Sequence, residues 1–319
     1  MRRERLSNCA NRRNEMKAYR LIVQFICAVI ACLWLSGCHD DCEDNVLTNN
    51  NQLLVMVSTN STKAGTGVIR GNYLPSGATL GVTLRPTDGG NLYDNKDYTN
   101  FLYTASGSET SQQWTPEVGK PILLSEAQAT AYAYFPRQAD VTDITKVPIT
   151  NESETDYMYS APEENISKSN LVASFRMSHV MSVVRVNVIK GNYNGVGAID
   201  SVSISGQTAA TSAKLNVMDG SLTDIIGSGA SILKIGPWTF STIGQLDFWA
   251  VPTGEPSKLQ FTIGIDDYSM ITTSEELQLL PGKIYCYTLI IDSKEMKISS
   301  VSVMDRENLP SIDQVPHRP

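Results

Sequence analysis

The sequence predicts an all-β fold built as two tandem β-sandwiches, and three observations carry that expectation. Apolar residues fall into runs of about four to eight with period-two alternation, the spacing of half-buried strands. Gly, Pro, Asn and Asp punctuate these runs at short intervals, as turns require. Beyond residue 37 no run with helical spacing lasts even about ten residues. Taking 37 leader residues from 319 leaves 282, enough for two domains at about 100–200 residues each.

Residues 1–37 are set aside as a targeting segment. Lys17 and Arg20 precede an apolar run, Leu21 to Trp34, and Leu35-Ser36-Gly37-Cys38 closes it. Positive residues, an apolar stretch and small residues in that order make a secretory signal peptide. The run of about 14 residues is shorter than the roughly 20 that span a bilayer. Its ending resembles the lipobox of bacterial lipoproteins. That resemblance implies diacylglycerol on the Cys38 thiol and cleavage just before it. Met1 to Glu15 is basic and polar, and Met16-Lys17 makes the better start of such a peptide.

Charge narrows the partners. The leader holds seven of the 26 Lys/Arg and two of the 33 Asp/Glu, so the remainder carries 19 basic and 31 acidic residues, a net charge of −12. An acidic surface repels phosphate backbones, and no nucleic-acid partner is expected. Of the six cysteines, Cys9, Cys27 and Cys32 lie in the leader and Cys38 would carry lipid. Cys42 and Cys286 remain, too few for a disulfide framework. Either they pair with each other or Cys286, in Tyr285-Cys286-Tyr287, is a buried free thiol.

Residues 38–52 are polar and Asn-rich and read as a flexible tether. The acids after Cys38 (Asp40, Asp41, Glu43, Asp44) resemble an export signal to the outer face of the outer membrane. The first sandwich is assigned to residues 53–168. Its expected strands are Leu53-Leu54-Val55-Met56-Val57, Thr79 to Leu84, Phe101 to Thr104, Pro121 to Leu124 and Ala129 to Pro136; Ser125 to Ala131 could pass for a short helical turn. Thr150 to Ser169 is polar and reads as a connection between domains or a long loop. The second sandwich is assigned to residues 169–304. Phe175, Met177 and His179 share one face while Val184, Val186 and Val188 share the opposite parity, which predicts a bulge near Met181-Ser182. Strands are then expected over 199–205, 213–218, 232–235, 245–251, 258–265, 283–291 and 297–304, and residues 305–319 read as a tail.

Little in this pattern supports catalysis. Of three histidines, His39 lies in the tether and His317 in the tail, and His179 sits mid-strand with no Gly-x-Ser-x-Gly turn near it. A core histidine bonding a backbone group is the expectation there. Gly65 to Gly71 lacks the Lys-Ser/Thr and the following helix of a phosphate loop. Asp88 to Asp97 offers oxygen ligands without EF-hand spacing. Trp114, Trp238 and Trp249 could stack on sugars, although strand aromatics first of all pack cores. No catalytic, metal or cofactor site is predicted; the one covalent group expected is the lipid on Cys38.

A series of landmarks stands in a telling order. Thr62-Lys63-Ala64 follows the first strand, and Leu74-Pro75-Ser76-Gly77-Ala78-Thr79-Leu80-Gly81-Val82 comes soon after. Ala131-Tyr132-Ala133-Tyr134-Phe135-Pro136, Asp156-Tyr157-Met158-Tyr159-Ser160 and Phe175-Arg176-Met177-Ser178-His179-Val180 follow, then Ala250-Val251-Pro252 and Leu280-Pro281-Gly282-Lys283-Ile284-Tyr285. Behind a lipobox, this series resembles the fimbrillin family of lipoprotein pilins over nearly all of residues 50–304. The resemblance implies transthyretin-like sandwiches, an outer-membrane lipid anchor and assembly into surface fimbriae. It also implies cleavage by a trypsin-like protease after a basic residue, here Lys63 or Arg70. Loss of Leu53 to Val57 would then open a groove for a strand from another pilin subunit. Nothing strand-like follows Met304, which favours a tip or accessory subunit, or an uncleaved anchor. The expected partners are other pilin subunits, the outer membrane and a host protein or glycan. The rival reading is a tethered glycan-binding module, and a third is a hydrolase with two converging carboxylates.

Overall fold

The computed structural model describes residues 51–59, 74–87, 96–108, 111–152 and 154–306. The lipobox, Cys38, Cys42, Lys63, Arg70, the Gly65–Gly71 loop and most of Asp88–Asp97 lie outside them. The described residues fall in one compact unit. Every element among the described residues is β, and no α-helix occurs.

In chain order the first strands are β1 (Leu54–Thr59), β2 (Thr79–Pro86), β3 (Tyr98–Ser106), β4 (Gln113–Pro116), β5 (Ala129–Phe135), β6 (Val147–Thr150), β7 (Met158–Ser160), β8 (Glu163–Ile166) and β9 (Val172–His179). All but β6 join one sheet in the order β2-β3-β4-β1-β9-β7-β5-β8, and β2 also pairs with β5, so the sheet closes on itself like a barrel. Inside it lies a core that includes Leu80, Val82, Leu84, Tyr103, Ile122 and Phe175. Gly81 is needed because a Cβ there would run into the buried Tyr134 ring and Asn100 Oδ1. That tyrosine hydroxyl donates to Asn100 Oδ1 at 2.8 Å, and the Asn100 amide donates to the carbonyls of Gln138 and Val141, each at 2.8 Å. Asn100 adopts φ +58, a conformation asparagine tolerates better than most residues.

The remaining strands are β10 (Ser182–Lys190), β11 (Ile199–Ser205), β12 (Ala209–Ala210), β13 (Ser212–Leu215), β14 (Leu222–Ile226), β15 (Ile232–Trp238), β16 (Gln245–Pro252), β17 (Ser257–Ile265), β18 (Tyr268–Leu277), β19 (Lys283–Ile291) and β20 (Met296–Asp305). A five-stranded sheet, β12-β16-β10-β19-β20, and a four-stranded sheet, β15-β11-β17-β18, enclose a second core around Val186, Phe248, Phe261 and Leu289. A third sheet, β14-β13-β6, takes one strand from the early part of the chain and two from the later part. Beneath it is a third core, with Val147, Ile149, Val180, Met181, Leu215 and Val251.

Four expectations change. Pro121 to Leu124 is not a strand: Gln52 and Leu123 form an isolated bridge, while Ile122 and Leu124 are buried. The polar segment Thr150 to Ser169 is no plain connection, because β7 and β8 lie within it and pair with β5. A few buried side chains (Met158, Ile166) hold these short strands, too few to show as alternation. The change of phase after His179 is not a bulge in one strand. The chain leaves the first sheet at β9, passes through buried Val180-Met181 and enters another sheet at β10. The inner faces of two different sheets thus produce the shifted parity, and β9 belongs with β1 and β7 rather than with the strands after residue 180.

Several carboxylates are held charged by local donors. Asp97 accepts from the Thr99 hydroxyl, Asp143 from Thr145, Asp219 from Ser221, Asp266 from the Gly197 N–H and Asp292 from the Asn192 N–H; each pKa lies below the ordinary 3.8. A depressed folded-state pKa contributes stability that is present above the unfolded value and lost as pH falls through the folded one. Stability is therefore expected to hold down to about pH 4 and to drop below it. Circular dichroism during acid titration checks this, and a fold that grows more stable on acidification from about pH 4 contradicts it.

Candidate functional site

The place of β1 makes it the candidate site. The strand lies between β4 and β9 in the closed sheet. It runs parallel to β9 in continuous register from Leu54↔Val172 to Thr59↔Met177, but meets β4 at one pair, Val55↔Trp114. Just before it, the Leu53 N–H donates to the Ile122 carbonyl at 2.9 Å and the Leu54 N–H to the Leu171 carbonyl at 2.8 Å.

Period-two alternation decides which side chains it buries. Leu53 and Val55 point into the first core at 1% and 7% exposure, whereas Leu54 and Met56 stand outside at 53% and 61%. Beside the strand, on β9 and β4, lie buried Ala173, Phe175 and Trp114 of the same core, and the Tyr103 hydroxyl donates to the Leu53 carbonyl at 3.3 Å. Burial pushes the Tyr103 hydroxyl pKa well above the usual tyrosine range, so it stays a donor. Each buried aliphatic of β1 is worth roughly 1.5–3 kcal/mol. Without β1 this part of the sheet would be an apolar slot flanked by two unpaired edges. The segment read from the sequence as displaceable, Leu53 to Val57, overlaps the first residues of β1, with Leu53 and Val55 buried and Leu54 and Met56 exposed.

The other singled-out residues scatter. Cys286 is a half-buried free thiol on β19, across from Arg185. The Arg185 guanidinium makes two 2.7 Å bonds to Asp247, its neighbour on β16. Asp266 and Asp267 form the left-handed turn between β17 and β18, at φ +48 and +66. Asp266 accepts the Tyr193 hydroxyl at 2.8 Å, and burial together with that carboxylate pushes the tyrosine pKa up to about 12. Trp114 and Trp238 pack against the first and second cores. No group of three or more His, Cys, Asp or Glu that could hold a metal occurs among the described residues.

His179 bonds a side chain rather than a backbone group. Its Nδ1 lies 2.9 Å from Asp156 Oδ1, and Arg306 reaches the other oxygen of Asp156 at 3.0 Å. The Arg306 guanidinium stacks 4.0 Å from the Trp249 ring, and its burial pulls the pKa down from the usual arginine value. Arg306 falls in the stretch that reads from the sequence as a tail, yet it ties the end of β20 to the segment before β7. No local signal marks it, since a basic residue after a strand ordinarily faces water.

Comparison with known proteins bears on the fold and the family. A structure of a candidate cell adhesion protein from Bacteroides uniformis superposes with a TM-score of 0.59 at 17% identity, covering 80% of this chain and 98% of that one. A second such structure, from Bacteroides ovatus, gives 0.59 at 15%, covering 80% and 97%. A third, from Parabacteroides distasonis, gives 0.51 at 11%, covering 82% and 98%. At these identities the likeness is one of fold. No curated protein matches the sequence. The profile of the Fimbrillin-like family matches residues 43–305 of the 319, and this protein belongs to that family.

Proposed function

We propose that this protein is a cell-surface fimbrial subunit, without enzymatic activity, that joins other pilins by exchanging strands. In this reading Cys38 carries the lipid that holds the chain at the outer membrane during export. Two transthyretin-like halves make up the body, and β1 is the removable strand. A protease cutting after Lys63 or Arg70 would free β1 and open the slot between β4 and β9 to a donated strand. The observation that carries the reading is the half-apolar character of β1, buried on one face and exposed on the other, with a single paired position on β4. Family membership supports the fimbrial part. The residues after Met304, with three prolines and no apolar alternation, favour a tip or accessory position over a stalk position.

The test is treatment of the purified protein with a trypsin-like protease, followed by mass spectrometry and unboiled gels. A new N-terminus at Ala64 or Gly71 with loss of β1 is expected. SDS-resistant multimers would then mark a stalk subunit, and trimmed monomers a tip or accessory one. Resistance at both positions, or a cut that leaves β1 bound in its slot, would sink the proposal. The double variant Lys63→Ala with Arg70→Ala should abolish the trimming.

A further inference from the structure

A cleft of about 330 Å³ opens where three sheets converge, apart from β1. Asn151, Glu152 and Glu154 come from the segment after β6, Thr211 from the corner between β12 and β13, Ser231 and Lys234 from the start of β15, and Trp249 from β16. We propose that this cleft binds a neutral sugar, one or two hexose units at the end of a glycan.

The walls are held in place before any ligand arrives. The Asn151 N–H donates to the Thr211 carbonyl at 2.9 Å, and the Thr211 N–H to Ile226 at 3.1 Å. Lys234 pairs with Glu154, and its ammonium lies 5.7 Å from the centre of the buried Phe248 ring. Trp249 is braced by Arg306, which Asp156 holds in turn. Fixed walls lower the ordering cost of binding.

The chemistry of the lining selects the ligand class. Two carboxylates face one ammonium that is already paired, so a phosphorylated or sulfated ligand is repelled. The same ammonium opposes a cation. A purely apolar ligand would strand the amide, hydroxyl and carboxylate groups without partners. A pyranose satisfies both sides: its hydroxyls exchange hydrogen bonds with Asn151, Glu152, Thr211 and Ser231, and its C–H face lies on the indole of Trp249. The volume stands at the low end for ligand pockets and suits a ligand of that size. This goes beyond the subunit reading and stands on the cleft alone, whether or not β1 is exchanged.

The probes are the methyl glycosides of glucose, galactose, mannose, fucose and N-acetylglucosamine, with Nα-acetyl-lysinamide as a cationic comparison. Saturation-transfer NMR on the purified protein is expected to show at least one glycoside bound with Kd near or below about 1 mM. Affinity should fall roughly tenfold in Trp249→Leu and in Glu152→Ala. Because Trp249 also braces Arg306, Ser231→Trp provides a second arm that fills the cleft without touching that contact. No bound glycoside, binding that survives both Glu152→Ala and Ser231→Trp, or binding of the lysinamide alone would overturn the proposal.

Discussion

Phe175→Ala is expected to destabilise the protein by about 3–5 kcal/mol, the cost of emptying a buried aromatic site. Phe175 has no exposed surface and sits on β9 across from Val57 of β1. Its ring belongs to the first core beside the buried side chains of β1, so the variant leaves a cavity next to the strand as well as a transfer loss. Backbone pairing on both sides limits how far β9 can collapse into that cavity. Urea unfolding of the variant beside the parent measures the effect. A loss below about 1 kcal/mol would mean that the slot is not packed as described. If β1 is the removable strand, the variant should also lose it faster to a trypsin-like protease, because the contacts that retain it are weaker.

Leu215→Ala is the second large effect, about 2–5 kcal/mol, and its form matters as much as its size. Leu215 is 1% exposed, pairs with Val147 across β13 and β6, and belongs to the third core. That core draws side chains from β6, from the β9–β10 link and from β13 and β16, so it serves both the barrel-like sheet and the two-layered part. The expected result is one cooperative transition moved to lower denaturant, not two separated ones. Calorimetry with tryptophan fluorescence distinguishes these outcomes, since Trp114 reports the first core and Trp238 the second. Transitions that separate in the variant but coincide in the parent would show that the third core is what couples the two. Transitions already separate in the parent would contradict the single compact unit.

Much of the strand content was legible because alternation is local. Ile199–Ser205 and Lys283–Ile291 run as expected from their residues, and β1, β5, β16 and β17 lie within a residue or two of their predicted bounds. Legibility failed where burial is one-sided or slight. β18 was missed because Tyr268–Leu277 is rich in Thr, Ser and Glu and exposes Tyr268 and Ile271, as an edge strand can. β6, β7 and β8 were missed because strands of three or four residues carry too few side chains to show a period. The cleft left no trace in any one stretch, since its walls come from four separate segments. His179 stands out in the sequence, but nothing in the landmark Asp156-Tyr157-Met158-Tyr159-Ser160 marks Asp156 as its partner.

By itself, then, the chain's order of residues determined an all-β body, and a series of landmarks that led to the right family. Those properties depend on neighbours a few positions apart. Tertiary structure alone decided that β1 lies parallel to β9, that β6 pairs with β13, that Arg306 returns to Asp156, and that a polar cleft forms beside Trp249. Alternation records which face of a strand is buried, but the strand that covers it is chosen by long-range packing, which no short window of sequence contains.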